Sequence, residues 1–257
     1  MCEYEKDHPE HLPHQSSRRA FVKASTAAVA VGLLATSGAN ATETAAAKGS
    51  SVMALTKEAR DKLTADQILQ KWKDGNIRFR EGRKIQRDFL AEARVTASGQ
   101  FPAGALLSCI DSRAPAEILF NLGMGDVFNA RVAGNIENPD ILGSLEFTTK
   151  LAGAKVILVM GHSACGAVAG AIADAKLGNL TQLLAKIQPA ITATTYSGER
   201  TASNAAFVDA VARKNVELTM GNIRKNSQVI ADLEKAGAVK IAGAFYDLKT
   251  GAVEFFA

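Results

Sequence analysis

Three side chains of the kind that bind soft metal ions are spaced so that they could meet at one point. Cys109 ends a short apolar run, and His162 and Cys165 are three residues apart later in the chain. A His-x-x-Cys spacing lets both side chains face one point in the first turn of a helix. Zinc accepts imidazole and thiolate in a tetrahedral site, and three protein ligands leave a fourth position for water, as in catalytic sites. A disulfide between the cysteines, or two inert buried thiols, would also account for these residues.

Two charged neighbours favour a metal site over the other two interpretations. Asp111 and Arg113 directly follow Cys109 in the run Cys109-Ile110-Asp111-Ser112-Arg113. Neither a disulfide nor a packed thiol needs a carboxylate and a guanidinium beside it. An ion pair on a surface loop is the alternative, and such pairs contribute little to stability. Their position beside the first candidate ligand instead predicts a role at the site.

Apolar runs alternating with helical segments predict the fold that must position these residues. Residues 103–110, 126–132 and 155–161 are strand candidates, and the near-continuous apolarity of the first and third fits strands buried on both faces of a parallel sheet. Helices predicted over residues 114–122 and 140–151 separate them, which indicates an α/β fold with a mainly parallel central sheet flanked by helices. Cys109 and His162 then lie at carboxyl ends of strands, where such folds bind ligands.

Elements outside this central part complete the prediction. At the N-terminal side, we predict a helical extension from Thr56 to about Gly82, with a capping box at residues 64–67, and a polar helix over residues 89–98. After Gly166 we predict helices with breaks near Gly178, Pro189 and Gly198, and then two helices within residues 202–236. Residues 239–246 and 252–256 are predicted to form a C-terminal β-hairpin.

The first 41 residues have the composition of an export signal. Arg18, Arg19 and Lys23 precede a mildly apolar run over residues 24–39, and Ala39-Asn40-Ala41 forms a small-residue cleavage site. The paired arginines resemble the twin-arginine type, which predicts export in the folded state to the periplasm or the medium. A membrane anchor or a disordered tail is the alternative, but the run is short for a bilayer core of about 30 Å. We therefore predict no stable membrane insertion after cleavage.

The rest of the chain divides into a flexible linker over residues 42–55 and one folded domain over residues 56–257. The protein carries 30 Lys and Arg against 26 Asp and Glu, a net charge of +4, and the basic residues are scattered. Nucleic-acid binding gains no support, because it requires a clustered positive face. Without residues 1–41, His162 is the one histidine, and Cys109 and Cys165 are the two cysteines.

The motifs together resemble the signature of the β-carbonic anhydrases, over about residues 60–257. Cys-x-Asp-x-Arg is present at residues 109–113, and His-x-x-Cys lies within residues 161–166. Residues 128–135, Phe-Asn-Ala-Arg-Val-Ala-Gly-Asn, and the ending Gly-Ala-Phe-Tyr-Asp at residues 243–247 are also similar.

The resemblance implies zinc-dependent, reversible hydration of carbon dioxide to bicarbonate and a proton. It implies one zinc ion per chain, held by Cys109, His162 and Cys165. Zinc-bound hydroxide would attack the substrate, with Asp111 oriented by Arg113 as a dyad. In a closed state of the family, Asp111 replaces the water as fourth ligand.

The resemblance also implies substrate contacts and an assembly. Gln100 would donate a hydrogen bond to the substrate, and Phe128, Ala133 and Phe147 would line the carbon dioxide pocket. Leu106 stands where a second subclass has a regulatory tryptophan, which favours the plant-like subclass. The family forms dimers or tetramers, so we expect a homodimer or a homotetramer.

Three other functions fit parts of the pattern. Carbon disulfide and carbonyl sulfide hydrolases resemble this family and share its ligands. A zinc store or sensor would need a fourth protein ligand, which the pattern does not provide. A thiol–disulfide protein is disfavoured because the chain has no Cys-x-x-Cys pair.

Overall fold

The computed structural model describes residues 54–256, and its centre is one five-stranded sheet. The strands are β1 (Gly104–Ser108), β2 (Val127–Arg131), β3 (Val156–His162), β4 (Lys240–Tyr246) and β5 (Val253–Phe256). Their order in the sheet is β2-β1-β3-β4-β5. The first four strands are parallel, and β5 pairs antiparallel with β4. The predicted mainly parallel α/β fold and the C-terminal hairpin are both confirmed.

The strand register brings the candidate ligands to the same edge of the sheet. Ser108, the last residue of β1, pairs with Met160 in β3. Strand β3 continues for two more residues and ends at His162. Cys109 therefore leaves β1 beside the end of β3, at the carboxyl edge of the sheet.

Helices flank the sheet in the order that the sequence predicts. They are α1 (Lys57–Asp61), α2 (Ala65–Arg80), α3 (Phe89–Thr96), α4 (Ala116–Leu119), α5 (Pro139–Glu146), α6 (Gly166–Ile172), α7 (Gly178–Ala185), α8 (Gln188–Ala193), α9 (Ala205–Asn226) and α10 (Gln228–Lys235). The capping box at Thr64 and Gln67 is present at the start of α2. A 3-10 turn spans Ala133–Asn135, and a π-helical turn, Phe147–Leu151, continues α5.

Two predicted helix breaks differ in detail from the structure. Gly178 is the first residue of α7, and Pro189 lies in the first turn of α8. The breaks therefore lie just before these residues. Pro189 is tolerated in the first turn of a helix, because the first backbone N–H groups have no partner there. Gly198 lies between α8 and α9, as predicted.

Alternate residues of the strands pack on opposite faces of the sheet. Leu106 and Leu158 pack with Trp72 of α2, whereas Leu107 and Val159 belong to the cluster that contains residues of α9 and α10. All four strand residues are fully buried. This two-sided burial explains the near-continuous apolar runs in the sequence.

The predicted export signal, residues 1–41, lies outside the described part of the chain, as do the linker residues up to position 53. Within residues 54–256, no helix combines the length and apolarity needed to cross a membrane.

Candidate metal centre

Cys109, His162 and Cys165 converge at the carboxyl edge of the sheet. One ligand atom from each lies within 4.8 Å of the other two. All three residues are buried, and Cys109 and Cys165 are free thiols. The structure therefore has no Cys109–Cys165 disulfide.

The turn between His162 and Cys165 gives the two side chains their common direction. His162 ends β3, and Cys165 is the N-cap of α6. Ala164 between them has a φ of 52°, a left-handed conformation that L-residues adopt at a cost. Asp209 of α9 stabilises this turn by accepting a hydrogen bond of 2.9 Å from the Ala164 backbone N–H.

The His162 ring presents one nitrogen that fits a metal ligand. Its Nδ1 lies 2.9 Å from the Ser163 carbonyl oxygen. Because a carbonyl oxygen can only accept, Nδ1 carries the proton and Nε2 keeps its lone pair. Nε2 is buried and has no hydrogen-bond partner. An unpartnered buried polar atom costs about 1–3 kcal/mol, and a cation bound between the three residues would remove that cost.

The Cys109 and Cys165 sulfurs interact with each other and with the backbone around them. A hydrogen bond from the Cys165 thiol lowers the pKa of Cys109, against the effect of burial. The same hydrogen bond raises the pKa of Cys165. The Gly134 backbone N–H also donates to Cys109 Sγ, at 3.3 Å. These hydrogen bonds favour the thiolate form of Cys109, the form of cysteine that binds metal ions.

Asp111 and Arg113 form a tight pair beside the cluster. The Arg113 Nε and Nη2 groups donate to the two carboxylate oxygens of Asp111 at 2.9 and 2.7 Å. The Arg113 backbone N–H donates to Oδ1 as well, at 2.9 Å. Chiefly because of the Arg113 side chain, the pKa of Asp111 lies well below its usual range. An ionised Oδ2 atom thus lies 4.0 Å from His162 Nε2.

Arg131 fixes the loop that carries both Cys109 and Asp111, and sequence reasoning gave it no role. Its Nε donates to the Cys109 carbonyl oxygen at 3.0 Å, and its Nη2 donates to the Asp111 carbonyl oxygen at 2.5 Å. It ends β2, which pairs with β1, so the sheet positions the guanidinium. The one sequence signal that could have identified Arg131 is its position within residues 128–135, the segment that resembles the family.

A small apolar pocket lies directly beside Cys109. Its volume is about 290 Å³. Its lining residues are mostly small or aliphatic: Cys109, Ile110, Asp111, Ala133, Gly166, Ala167, Gly170, Ala175, Leu180 and Leu184. We call it the Cys109 pocket. Sequence reasoning identified Ala133 as a lining residue but missed Gly170, Leu180 and Leu184, because apolar residues on helices carry no distinctive spacing.

The other predicted substrate residues lie elsewhere on the chain. Phe128 and Phe147 line a separate hollow of about 770 Å³ beside β2 and α5, with ring centroids 6.4 Å apart. We call it the aromatic hollow. Phe128 pairs with Ala105, three residues before the end of β1, so it lies short of the carboxyl edge. Gln100 is exposed and precedes β1, which places it towards the amino edge. Within one chain, only Ala133 of the four reaches the Cys109 pocket.

The fold and the site together define an α/β protein with a Cys₂His cluster at the carboxyl edge of its sheet. Comparisons with known proteins identify its family. Residues 105–253 match the family described as carbonic anhydrase. Carbonic anhydrase 2 of Mycobacterium tuberculosis is 31% identical over 185 residues, which cover 70% of this chain and 86% of that protein. A carbonic anhydrase of Pseudomonas aeruginosa is 31% identical over 188 residues, covering 70% and 84%.

Solved structures identify the class within the family. The Coccomyxa β-carbonic anhydrase, solved with acetazolamide, has a TM-score of 0.58 at 26% identity and covers 63% of this chain and 75% of its own. A tetrameric β-carbonic anhydrase of Sordaria macrospora has a TM-score of 0.56 at 26% identity, covering 64% and 85%. The chain belongs to the carbonic anhydrase family, and its fold is that of the β class.

Proposed function

We propose that this carbonic anhydrase hydrates carbon dioxide reversibly to bicarbonate and a proton, with zinc at the Cys109–His162–Cys165 cluster. One observation carries the proposal. The unpartnered Nε2 of His162 lies among two buried sulfurs and 4.0 Å from the ionised Asp111 carboxylate.

The residues present fit one zinc ion per chain. Two cysteines and one imidazole are ligand types that zinc prefers, and the Cys165 thiol would lose its proton on binding a zinc ion. Three protein ligands match a catalytic rather than a structural site. Bound there, zinc would supply Lewis acidity that lowers the pKa of water from about 15.7 to about 7. The nearby Asp111 carboxylate is also the candidate fourth ligand of a closed state.

In this proposal, Asp111 orients the attacking water and Arg113 orients Asp111. Three hydrogen bonds from Arg113 hold the carboxylate oxygens and restrict their rotation. Asp111 remains ionised across the neutral range, since its pKa is lowered. An ionised carboxylate can only accept, so it fixes which proton of the water points away from the substrate.

The Cys109 pocket is our candidate for the carbon dioxide site, because it joins the cluster to an apolar wall that includes Ala133. Gln100, Phe128 and Phe147 remain predicted substrate residues, and they can reach a cluster only if a second chain brings them there. Their distance from their own cluster supports the proposal of a homodimer or homotetramer. The comparable Sordaria macrospora enzymes are described as tetrameric.

We also propose that residues 1–41 direct export by the twin-arginine route, so that the enzyme works in the periplasm or outside the cell. The supporting observation is the Arg18-Arg19 pair with the run and cleavage site that follow it. Changing both Arg18→Lys and Arg19→Lys should keep the enzyme in the cytoplasm with an unprocessed N-terminus. Export of that double variant at the unmodified rate would contradict the proposal.

Stopped-flow hydration of carbon dioxide on residues 42–257, with zinc measured on the same sample, tests the proposed function. We expect activity that rises in proportion to zinc and saturates at one ion per chain. Full zinc loading without hydration of carbon dioxide would reject this substrate. Activity that persists after zinc is removed would reject the zinc site.

A further inference from the structure

A buried asparagine on α9 has an unusual position for its type. Asn215 is 3% exposed and lies on a helix face where its neighbours Val211, Ala212 and Val216 belong to the core. Asparagine is a poor helix former, and burying its amide without a partner costs about 1–3 kcal/mol. Its Nδ2 donates a 2.7 Å hydrogen bond to the carbonyl oxygen of Gly134, which is 81 residues away in the chain.

Gly134 is the residue that connects this helix to the candidate metal ligand. Its φ is 71°, in the left-handed region, and a Cβ there would lie 2.7 Å from Ile187 Cδ1. The left-handed conformation favours glycine, and a Cβ at this position would also force the Ile187 side chain to move. Its N–H donates to Cys109 Sγ at 3.3 Å, while its carbonyl oxygen accepts from Asn215. The Gly134 backbone thus connects the Asn215 side chain of α9 to the Cys109 sulfur.

We propose that Asn215 is a positioning residue for the metal site: it fixes Gly134 so that the Gly134 N–H points at Cys109 Sγ. This rests on the zinc site proposed above. The N–H donor stabilises the thiolate and limits the charge that it gives to the metal. Mutation of a residue that orients a metal ligand in this way typically weakens metal affinity by about 10–100-fold.

The expected effect is partial because Cys109 has a second, independent support. Arg131 holds the Cys109 carbonyl oxygen, and β1 holds the preceding residue. Loss of Asn215 would therefore leave Cys109 near the cluster but would free the Gly134 turn. The zinc complex should form with weaker affinity and faster release.

The experiment compares two buried asparagines, one at the site and one far from it. Asn76 of α2 is also 3% exposed, and its Nδ2 donates to the carbonyl oxygens of Leu119 and Gly251 at 3.1 and 2.9 Å. We would measure zinc affinity by chelator competition for the unmodified enzyme, Asn215→Leu and Asn76→Leu, with the thermal midpoint of each. Asn215→Asp, which keeps the shape but loses the donor, is the second variant if the leucine variant fails to fold.

We expect zinc Kd to rise about 10–100-fold in the Asn215 variants and to stay within about twofold in Asn76→Leu. The cobalt-substituted Asn215 variants should also show a shifted sulfur-to-cobalt charge-transfer band. Zinc affinity and cobalt spectrum equal to those of the unmodified enzyme would overturn the inference, as would an equal loss of affinity in Asn76→Leu. Absence of zinc binding in the unmodified enzyme would instead overturn the proposed function itself.

Discussion

The Cys109 pocket and the aromatic hollow differ in how each is built. The Cys109 pocket lies at the carboxyl edge of the sheet, is lined largely by small side chains and includes a cluster ligand. The aromatic hollow lies beside the edge strand β2, and Phe147 in it is 53% exposed. One chain therefore assembles a complete set of candidate ligands, whereas Phe147 is exposed and Phe128 is half-buried against the core, away from those ligands. Under the proposed function, we therefore expect one chain to supply the metal ligands, and a second chain to bring the aromatic residues to the substrate.

Removing a ligand should have the largest effect. Cys165→Ser replaces a thiolate with a hydroxyl, a poor zinc ligand, at a fully buried position. We expect zinc content to fall far below one ion per chain and the hydration rate to fall by about 10³-fold or more. Ser112→Ala, an exposed change between Asp111 and Arg113, is the control and should retain both. A Cys165→Ser enzyme with normal zinc content would mean that the cluster is not the metal site.

Removing the arginine of the dyad should have the next largest effect. Arg113→Ala would free Asp111 to rotate towards the cluster and compete with water. We expect kcat/KM to fall by about 10²-fold, the size of effect expected when one preorganising contact is removed, while zinc stays near one per chain. Arg83→Ala, at an exposed arginine paired with Glu81, should change neither quantity. Loss of zinc in Arg113→Ala would show that Arg113 is structural instead.

Filling the Cys109 pocket should have a moderate effect. A Cβ at Gly170 would lie 3.4 Å from Leu184 Cδ1, so the branches of valine would occupy the pocket. We expect Gly170→Val to lower kcat/KM for carbon dioxide by about tenfold, equivalent to about 1.4 kcal/mol, because the added methyl groups take up substrate space, with zinc retained. Gly221→Val, in α9 where a Cβ meets nothing within 4 Å, controls for a branched residue in a helix. Equal effects of the two changes would rule out the pocket as the substrate site.

Truncating the aromatic hollow should have the smallest effect, and one that depends on assembly. Phe147→Ala should lower kcat/KM by about fivefold, equivalent to roughly 1 kcal/mol of contact, in the oligomer and leave zinc unchanged. Light scattering measured alongside kinetics would show whether the oligomer persists. Unchanged kinetics in an intact oligomer would remove Phe147 from the substrate site.

Sequence reasoning could predict the cluster because its signal combines residue type with position. Cys109 and His162 end or follow apolar runs that fit buried strands, and parallel strands end at one edge of a sheet. The dyad was predictable for a similar reason, since Asp111 and Arg113 are two residues apart and need no long-range contact.

The supporting residues could not be predicted, because their roles arise from contacts across the fold. In the sequence, Asp209 and Asn215 are ordinary polar residues of one helix. Their roles depend on the packing of α9 against the end of β3. There Gly161 allows a close approach, since a Cβ would lie 2.8 Å from Val216 Cγ2. The structure places Phe128 and Phe147 in the aromatic hollow, and their role at the substrate stays a prediction, because a resemblance gives residue types but not which chain of an oligomer uses them.

X-ray absorption at the zinc edge of the purified enzyme tests the central claim most directly. We expect two sulfur neighbours at about 2.3 Å and one imidazole nitrogen at about 2.0–2.1 Å, with one further light atom completing a tetrahedron. A zinc shell made of oxygen and nitrogen alone, or of a single sulfur, would contradict it.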